Sequence, residues 1–391
     1  MDLMEPVYVI GAGMTKFGVL DDSLVQLAEK ASFKAMSESQ TVEQQFDHLV
    51  VGSQNPDEFV NQGHLSTLLS DRLGIVPAGA TRIETGPSSG SSAFEAAFTM
   101  IASGHSELVL VVGVEKMSEV DRGTSLKILT KMLSYENETR YGVTPAALAA
   151  MVTRRYMHEY GLTRDELSLV PVKAHHNATK NPLAHFQSEI TVENVNNARV
   201  VADPLTLFDC CPMSDGAAAV ILASDRIVSE LGISDQAVRV LGVGHGTDYH
   251  ALQHRLSLTS LGATIAAAQR ALSMAKVNPL DIDVFEIHDA FSILELVNME
   301  DIGIAERGSA IKMIKNGETE VGGQTPVNTT GGLKARGHPS GGTGIAQIHD
   351  IYNQLLQKAP KGLQVNAPVL GLTQNIGGFG NNMVVCIFSA P

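Results

Sequence analysis

Four short stretches of this chain carry residue types able to do chemistry. His288 closes the apolar run Val284-Phe285-Glu286-Ile287 and is followed by Asp289-Ala290-Phe291-Ser292. A histidine there lies at the carboxyl edge of a parallel strand, where α/β proteins place their reacting groups. His338 stands in Arg336-Gly337-His338-Pro339-Ser340-Gly341-Gly342, just ahead of a helix opened by proline. The glycines beside it let a ligand come close to the backbone. A glycine loop, Asn375-Ile376-Gly377-Gly378-Phe379-Gly380, precedes the last apolar run. Finally, Ser88 and Ser89 open a helix directly after Pro87, within 83–97. Imidazoles suit proton transfer or donation to a developing oxyanion, whereas a serine hydroxyl is a nucleophile only with a base in reach. Gly11-Ala12-Gly13 lacks the third glycine of a dinucleotide fingerprint, since position 16 is Lys16, and reads as a tight strand-to-helix turn.

Alternating apolar runs and amphipathic stretches position these residues. Strands are expected at 7–10, 48–52 and 107–112, with helices at 24–36 and 88–103. The second half repeats the order: a strand at 238–243, a helix at 262–276 and a strand at 284–287. A helix then opens at Pro339 and runs to about 356, before strands at 369–372 and 383–388. Continuous apolar runs of this kind suit strands covered on both faces. Pro87-Ser88-Ser89-Gly90 and Pro339-Ser340-Gly341-Gly342 fall at matching points, so the chain divides into similar halves, 1–235 and 236–391. The two glycine-rich helix starts should face each other across a pseudo-twofold axis. A less regular insertion at 119–197, with a helix at 145–160, carries His175, His176, His185 and the turn Asn181-Pro182, and is expected to supply substrate-binding surface.

With 391 residues, 44% of them apolar, the chain can bury one large core or two moderate ones. A formal net charge of −14 argues against nucleic acid or an anionic membrane surface as a partner. No apolar run of membrane-spanning length, signal segment or peroxisomal tripeptide is evident, which makes a cytoplasmic location the expectation. Cys210, Cys211 and Cys386 cannot build a disulfide framework, and the adjacent pair lacks zinc spacing. All three read as structural, and no metal site is expected.

The order of these pieces resembles the thiolase superfamily, closest to its sterol-carrier-protein-X and archaeal-type branch. The resemblance spans nearly the whole chain. It includes Val112-Gly113-Val114-Glu115-Lys116-Met117, Asn177 with Asn181-Pro182, and the segment 209–219 from Asp209-Cys210-Cys211-Pro212 onward. It implies a five-layered αβαβα thiolase fold of two similar mixed-sheet halves, a homodimer or higher oligomer, and a CoA thioester as substrate rather than a bound cofactor. His338 would line a first oxyanion hole and His288 would hold the water completing it. Gly377 would offer its N–H to a second. Asn375 stands where many thiolases keep a proton-shuttling cysteine, and Ala290 where the sterol-carrier branch carries one.

Pro87 occupies the position at which the family mounts its nucleophilic cysteine. Proline supplies neither a thiol nor a backbone N–H, so the acyl-enzyme step and one donor of the second oxyanion hole are lost together. An enolate held by His338 and His288 would still serve retro-aldol cleavage of a 3-hydroxyacyl-CoA. Thiolase-like steroid side-chain aldolases resemble this chain in lacking the cysteine, and work with a small OB-fold and zinc-ribbon partner. Tyrosines act as acids and bases in that group, and Tyr249 is the candidate here, against a plain surface-loop reading. Two alternatives stay open: an acyltransferase in which Ser88, Ser89 or an oligomer partner replaces the lost cysteine, and a non-catalytic acyl-CoA-binding scaffold. For the CoA phosphates, Lys173, Lys180 and Arg199 are candidates, with solvated surface charge as the default.

Overall fold

The computed structural model describes residues 5–391. Its strands are β1 (Val7–Met14), β2 (His48–Gly52), β3 (Gly79–Ile83), β4 (Leu108–Glu115), β5 (Val200–Ala202), β6 (Leu205–Thr206), β7 (Gly216–Ser224), β8 (Val238–Thr247), β9 (Val284–Ile287), β10 (Leu370–Gly377) and β11 (Asn382–Ser389). Nine of them form one sheet in the order β3-β2-β4-β7-β1-β8-β11-β10-β9, and β5 and β6 pair in a small ribbon.

The pairing repeats itself. In the first half β2 runs parallel to β3 and β4, β4 antiparallel to β7, and β7 antiparallel to β1. In the second half Val327 bridges Phe285 of β9 in parallel, and β9 runs parallel to β10. There β10 is antiparallel to β11, and β11 to β8. The halves meet where Tyr8 and Val9 of β1 pair with Arg239 and Val238 of β8. Every residue of β4, β7 and β9 is buried, which is why these strands are apolar without alternation.

Layering follows from what each sheet face buries. One outer face packs Leu27, Ala31 and Ala35 of the helix Leu24–Ser39 against Ile10, Val51 and Val112. The other outer layer places the helices Gly262–Ala275 and Ser292–Ile302 against Phe285, Leu372 and Val385. Between the sheet halves lie the helices Ser89–Ala102 and Thr343–Leu355, whose Ala93, Ala97, Ile345 and Ile348 share a core with Val111, Val220 and Val384. The result is the expected five-layered αβαβα arrangement.

Small residues make these crossings close. A methyl group at Gly90 would lie 2.6 Å from the Gly341 carbonyl, and one at Gly344 2.2 Å from Ser91 Oγ. The two central helices thus touch at their glycine-rich starts. Gly11-Ala12-Gly13 is not a turn but the middle of β1. A Cβ at Gly11 or Gly13 would sit 2.5 or 2.3 Å from the carbonyls of Ala35 and Ala31. Those glycines admit a helix against the strand. The second half uses the same seam: Gly242, Gly244 and Gly246 of β8 face the carbonyls of Ala271, Ala267 and Ala263.

The stretch 119–197 is more regular than its composition suggests. Beside the expected helix Pro145–Tyr160 it holds the helices Arg122–Thr130, Arg164–Ala178 and Val192–Asn196. Pro171 lies inside Arg164–Ala178, which masked that helix in the sequence. No helix among the described residues is long and apolar enough to cross a membrane.

Candidate active site

His288 leaves the end of β9 with both faces of its backbone secured. Its N–H donates to Gln374 Oε1 at 2.9 Å, and its carbonyl accepts from Asn298 Nδ2 at 2.9 Å. Nδ1 accepts from the Ile376 N–H at 3.2 Å and lies 3.0 Å from Asn375 Nδ2. An Nδ1 that accepts leaves the ring proton on Nε2. The His288 imidazole is therefore a neutral donor at its free nitrogen.

His338 is fixed from the opposite side. Its N–H donates to Ser214 Oγ at 3.1 Å, and Nδ1 lies 2.6 Å from Thr343 Oγ1 in the first turn of the following helix. The two rings stand 5.1 Å apart, centre to centre, at 88°. Burial, His338 and Arg336 hold His288 well below the ordinary imidazole range, and burial with Arg336 brings His338 down to about 3. Both rings are uncharged at neutral pH.

A buried carboxylate ties the surrounding loops together. Glu115, at the end of β4, accepts from the N–H groups of Gln54, Asn55 and Gly341 and from the hydroxyls of Ser53 and Ser340. It joins the loop after β2 to the Gly-His-Pro segment, and burial raises its pKa.

The rings face a mostly apolar cavity. Its wall includes Pro87, Met117, Met132, Cys211, Met213, Ala290, Phe291, Leu294, Ser340, Ile376, Gly378 and Phe379 beside the two histidines. Pro87 is buried there, one residue before the cap of the central helix Ser89–Ala102. The loop 85–88 is pressed onto the glycine loop: a Cβ at Gly377 would meet Ser88 Oγ and the Thr85 carbonyl, each at 2.3 Å.

Several predicted residues take other places. Gly377 lies between the cavity-lining Ile376 and Gly378 and packs on Thr85 and Ser88. Asn375 stands behind His288, with Oδ1 accepting from Ser91 Oγ at 3.0 Å, and does not line the cavity. Neither serine faces it. Ser88 Oγ donates to the Thr85 carbonyl at 2.9 Å and accepts from Asn382 Nδ2 at 2.9 Å. Ser89 Oγ donates to the Gly86 carbonyl and accepts from the Thr85 N–H. Both hydroxyls brace the loop. Tyr249 is 60% exposed and outside the cavity wall. Lys173 is buried and paired with Glu295 at 2.5 Å, so it is not free for a phosphate; Lys180 and Arg199 are exposed. His175 is buried against Ser188, and His176 is exposed beside Glu189.

Cys211, read as structural, lines the cavity next to Ala290, whose carbonyl accepts its N–H at 2.8 Å. Nothing in the local sequence distinguishes it from Cys210; only the pairing of this loop with 290–291 does. Among the described residues no group of three His, Cys, Asp or Glu side chains is placed to hold a metal ion.

Known proteins resemble this chain along nearly its whole length. Residues 7–226 match the family described as "Thiolase, N-terminal domain", and 244–390 match "Thiolase C-terminal domain-like". The chain is 41% identical over 387 residues to an acetyl-CoA acetyltransferase of Methanothermobacter thermautotrophicus, covering 99% of this chain and 100% of that one. It is 31% identical to sterol carrier protein 2 of Bos taurus, covering 99% and 72%. Among solved structures, the "Ltp2-ChsH2(DUF35) aldolase" superposes with a TM-score of 0.86 at 26% identity, covering 100% and 99%. Two family models that together span 7–226 and 244–390, with a relative 41% identical over the full length, settle the family: the chain belongs to the thiolase family and is an enzyme of that family.

Proposed function

We propose that the protein makes or breaks a carbon–carbon bond next to a CoA thioester through an enolate, as retro-aldol cleavage of a 3-hydroxyacyl-CoA, without an acyl-enzyme. The observation carrying this reading is the cavity wall itself: two uncharged imidazoles stand across from a proline, and neither nearby serine points inward. His288 Nε2–H and His338 would hold the thioester oxygen as negative charge develops on it. A dry, apolar surround strengthens each such hydrogen bond. As the 3-hydroxyl gives up its proton, the C2–C3 bond breaks to an aldehyde or ketone and the enolate; a proton then taken up at C2 forms the shortened acyl-CoA, so no net proton is gained or lost. The aldolase among the structural neighbours, at 26% identity, supports a lyase reaction on this frame.

A second reading, transfer of an acyl group between CoA thioesters, is favoured by the names of the archaeal relatives. It requires a nucleophile. The one candidate on the wall is Cys211, whose thiol is pushed up to about 12 by burial, a poor thiolate source at neutral pH. A scaffold that only binds acyl-CoA would need neither imidazole, so the histidine pair argues for turnover.

The neighbour's title names a second, DUF35 component. On that basis we assign this chain a small OB-fold or zinc-ribbon partner, alongside self-association as a homodimer or higher oligomer in the cytoplasm. The repeated strand order supports the division into halves at 235/236. The test is release of a carbonyl product from a 3-hydroxyacyl-CoA by the protein, alone and with such a partner. Loss of that release in His338→Ala is expected; release unchanged in His338→Ala would overturn the reading.

A further inference from the structure

We propose that the cavity beside the histidine pair receives the departing carbonyl half of the substrate, and that Gln54 selects a half carrying a hydroxyl group. This deepens the enolate reading above and rests on it. A 3-hydroxyacyl-CoA split between C2 and C3 has a thioester half and a carbonyl half, and each needs its own space.

The cavity facing the two imidazoles holds about 90 Å³, the share of roughly three waters at ~30 Å³ each. That is room for the thioester and the carbons next to it, so the rest of the carbonyl half must continue elsewhere. A second cavity of about 370 Å³ adjoins the first, with Met132 and Gly378 on the wall of both. The second is polar where the first is apolar: Gln54, Asn55, Asn381 and Asn382 line it. It does not suit the phosphates of CoA. Glu84 stands exposed on its wall, and the lysine there, Lys131, is already paired with Glu58.

Three of the four amides on this wall already have partners. Asn55 Nδ2 donates to Glu58 at 2.9 Å, Asn382 Nδ2 donates to Ser88 Oγ at 2.9 Å, and Asn381 Nδ2 lies 2.6 Å from His250 Nδ1. Gln54 differs. It is 3% exposed, and among the described residues its Oε1 has no hydrogen-bond partner. Nε2 reaches only Met132 Sδ, at 3.9 Å, and a thioether is a weak acceptor. Because Met132 borders both cavities, this amide stands at the joint between them. The Gln54 backbone is clamped there, its N–H donating to Glu115 at 2.7 Å and its carbonyl accepting from Arg82 Nη2 at 2.8 Å. A buried amide left without a partner is costly and calls for a reason.

The polarity of that amide names the group it takes. Oε1 needs a donor and Nε2 an acceptor, and a hydroxyl supplies both through one oxygen. A carboxylate offers no proton to Oε1 and shares the cavity with Glu84. An alkyl chain leaves both ends of the amide unmet. A carbonyl half that brings a hydroxyl to this joint therefore gains a hydrogen bond, and one that lacks it leaves a buried polar group bare, a difference that appears in kcat/KM.

The test compares carbonyl release from 3-hydroxyhexanoyl-CoA with release from 3,5-dihydroxyhexanoyl-CoA and 3,6-dihydroxyhexanoyl-CoA, which add one hydroxyl to the departing half. The wild-type protein should favour at least one of the two by about tenfold in kcat/KM. Gln54→Met, similar in size, should erase that preference through a loss on the hydroxylated substrate. Free CoA, titrated by calorimetry, should bind Gln54→Met as tightly as wild type; weaker binding gives the second cavity to CoA and overturns the proposal. A preference kept in Gln54→Met overturns it as well. Wild-type release from all three substrates at similar kcat/KM, a result that needs no folded variant, overturns it and leaves the enolate reading standing. Release from none of the three, alone or with an OB-fold partner, overturns both.

Discussion

Replacing Pro87 with cysteine asks whether the frame still supports an acyl-enzyme. Position 87 is buried on the cavity wall with His288 and His338, just ahead of the 14-residue helix Ser89–Ala102. Pro87→Cys adds a thiol at a helix N-terminus, where the aligned peptide dipoles favour the thiolate by about 0.3–1 kcal/mol. It also adds a backbone N–H beside Gly377, and one oxyanion donor is worth about 3–4 kcal/mol in the barrier to acyl transfer. The cost in stability is small, about 0.4–1 kcal/mol from the freer unfolded chain. The assay is intact-protein mass after incubation with acetyl-CoA, followed by peptide mapping. Wild type should remain unmodified, and Pro87→Cys should gain one acetyl group at position 87, removable by added CoA. A folded Pro87→Cys protein that binds acetyl-CoA yet never acquires the acetyl group would refute the claim that proline alone blocks this step.

Four other outcomes follow from the geometry. The pH profile of kcat/KM should show no acid limb near the ordinary histidine pKa of about 6.5, because His338 is held down to about 3 and His288 is also held low; an acid limb at 6.5 in the wild-type protein would contradict this. The same depression means that the unfolded chain takes up protons the folded one refuses, so the His338 contribution to stability should fall as pH drops from about 6.5 toward 3, by up to about 1.4 kcal/mol per pH unit, seen as the wild-type minus His338→Gln difference in urea midpoints. Ser88→Ala and Ser89→Ala should lose about 1 kcal/mol each while turnover changes less than a few-fold, and Tyr249→Phe should change neither; loss of turnover in either serine variant without unfolding would revive a serine nucleophile. Gly344→Ala should destabilise the helix crossing by about 1–3 kcal/mol, measured by denaturant midpoint, since its Cβ would lie 2.2 Å from Ser91 Oγ and 2.6 Å from Ser91 N.

The strands that cross the core were legible because burial on both faces leaves no polar position to blur them: β2 and β9 match their expected bounds. Strands β1, β4, β8 and β10 run three or more residues further than their apolar runs. Glycines and Glu115 extend them, and such residues look like breakers until their neighbours are known. Gly11 and Gly13 misled for the same reason: the signal for a turn and the signal for a helix lying close on a strand are both glycine. Pro171 and the buried Lys173 concealed a helix, because the salt bridge that excuses that lysine joins residues 122 positions apart. At the site, His288 and His338 were readable from their place at element ends. The inward position of Cys211, the withdrawal of Asn375 behind His288 and the outward turn of Ser88 depend on contacts between the halves, which no local pattern reports.

Mixing the wild-type protein with a 3-hydroxyacyl-CoA, then recording trapped carbonyl product and intact protein mass from the same sample, reads the reaction course in one step. Non-covalent enolate chemistry predicts that aldehyde or ketone accumulates over many turnovers while the protein mass never changes. An acyl increment on the protein during turnover, on Cys211, Ser88, Ser89 or any other residue, would contradict it.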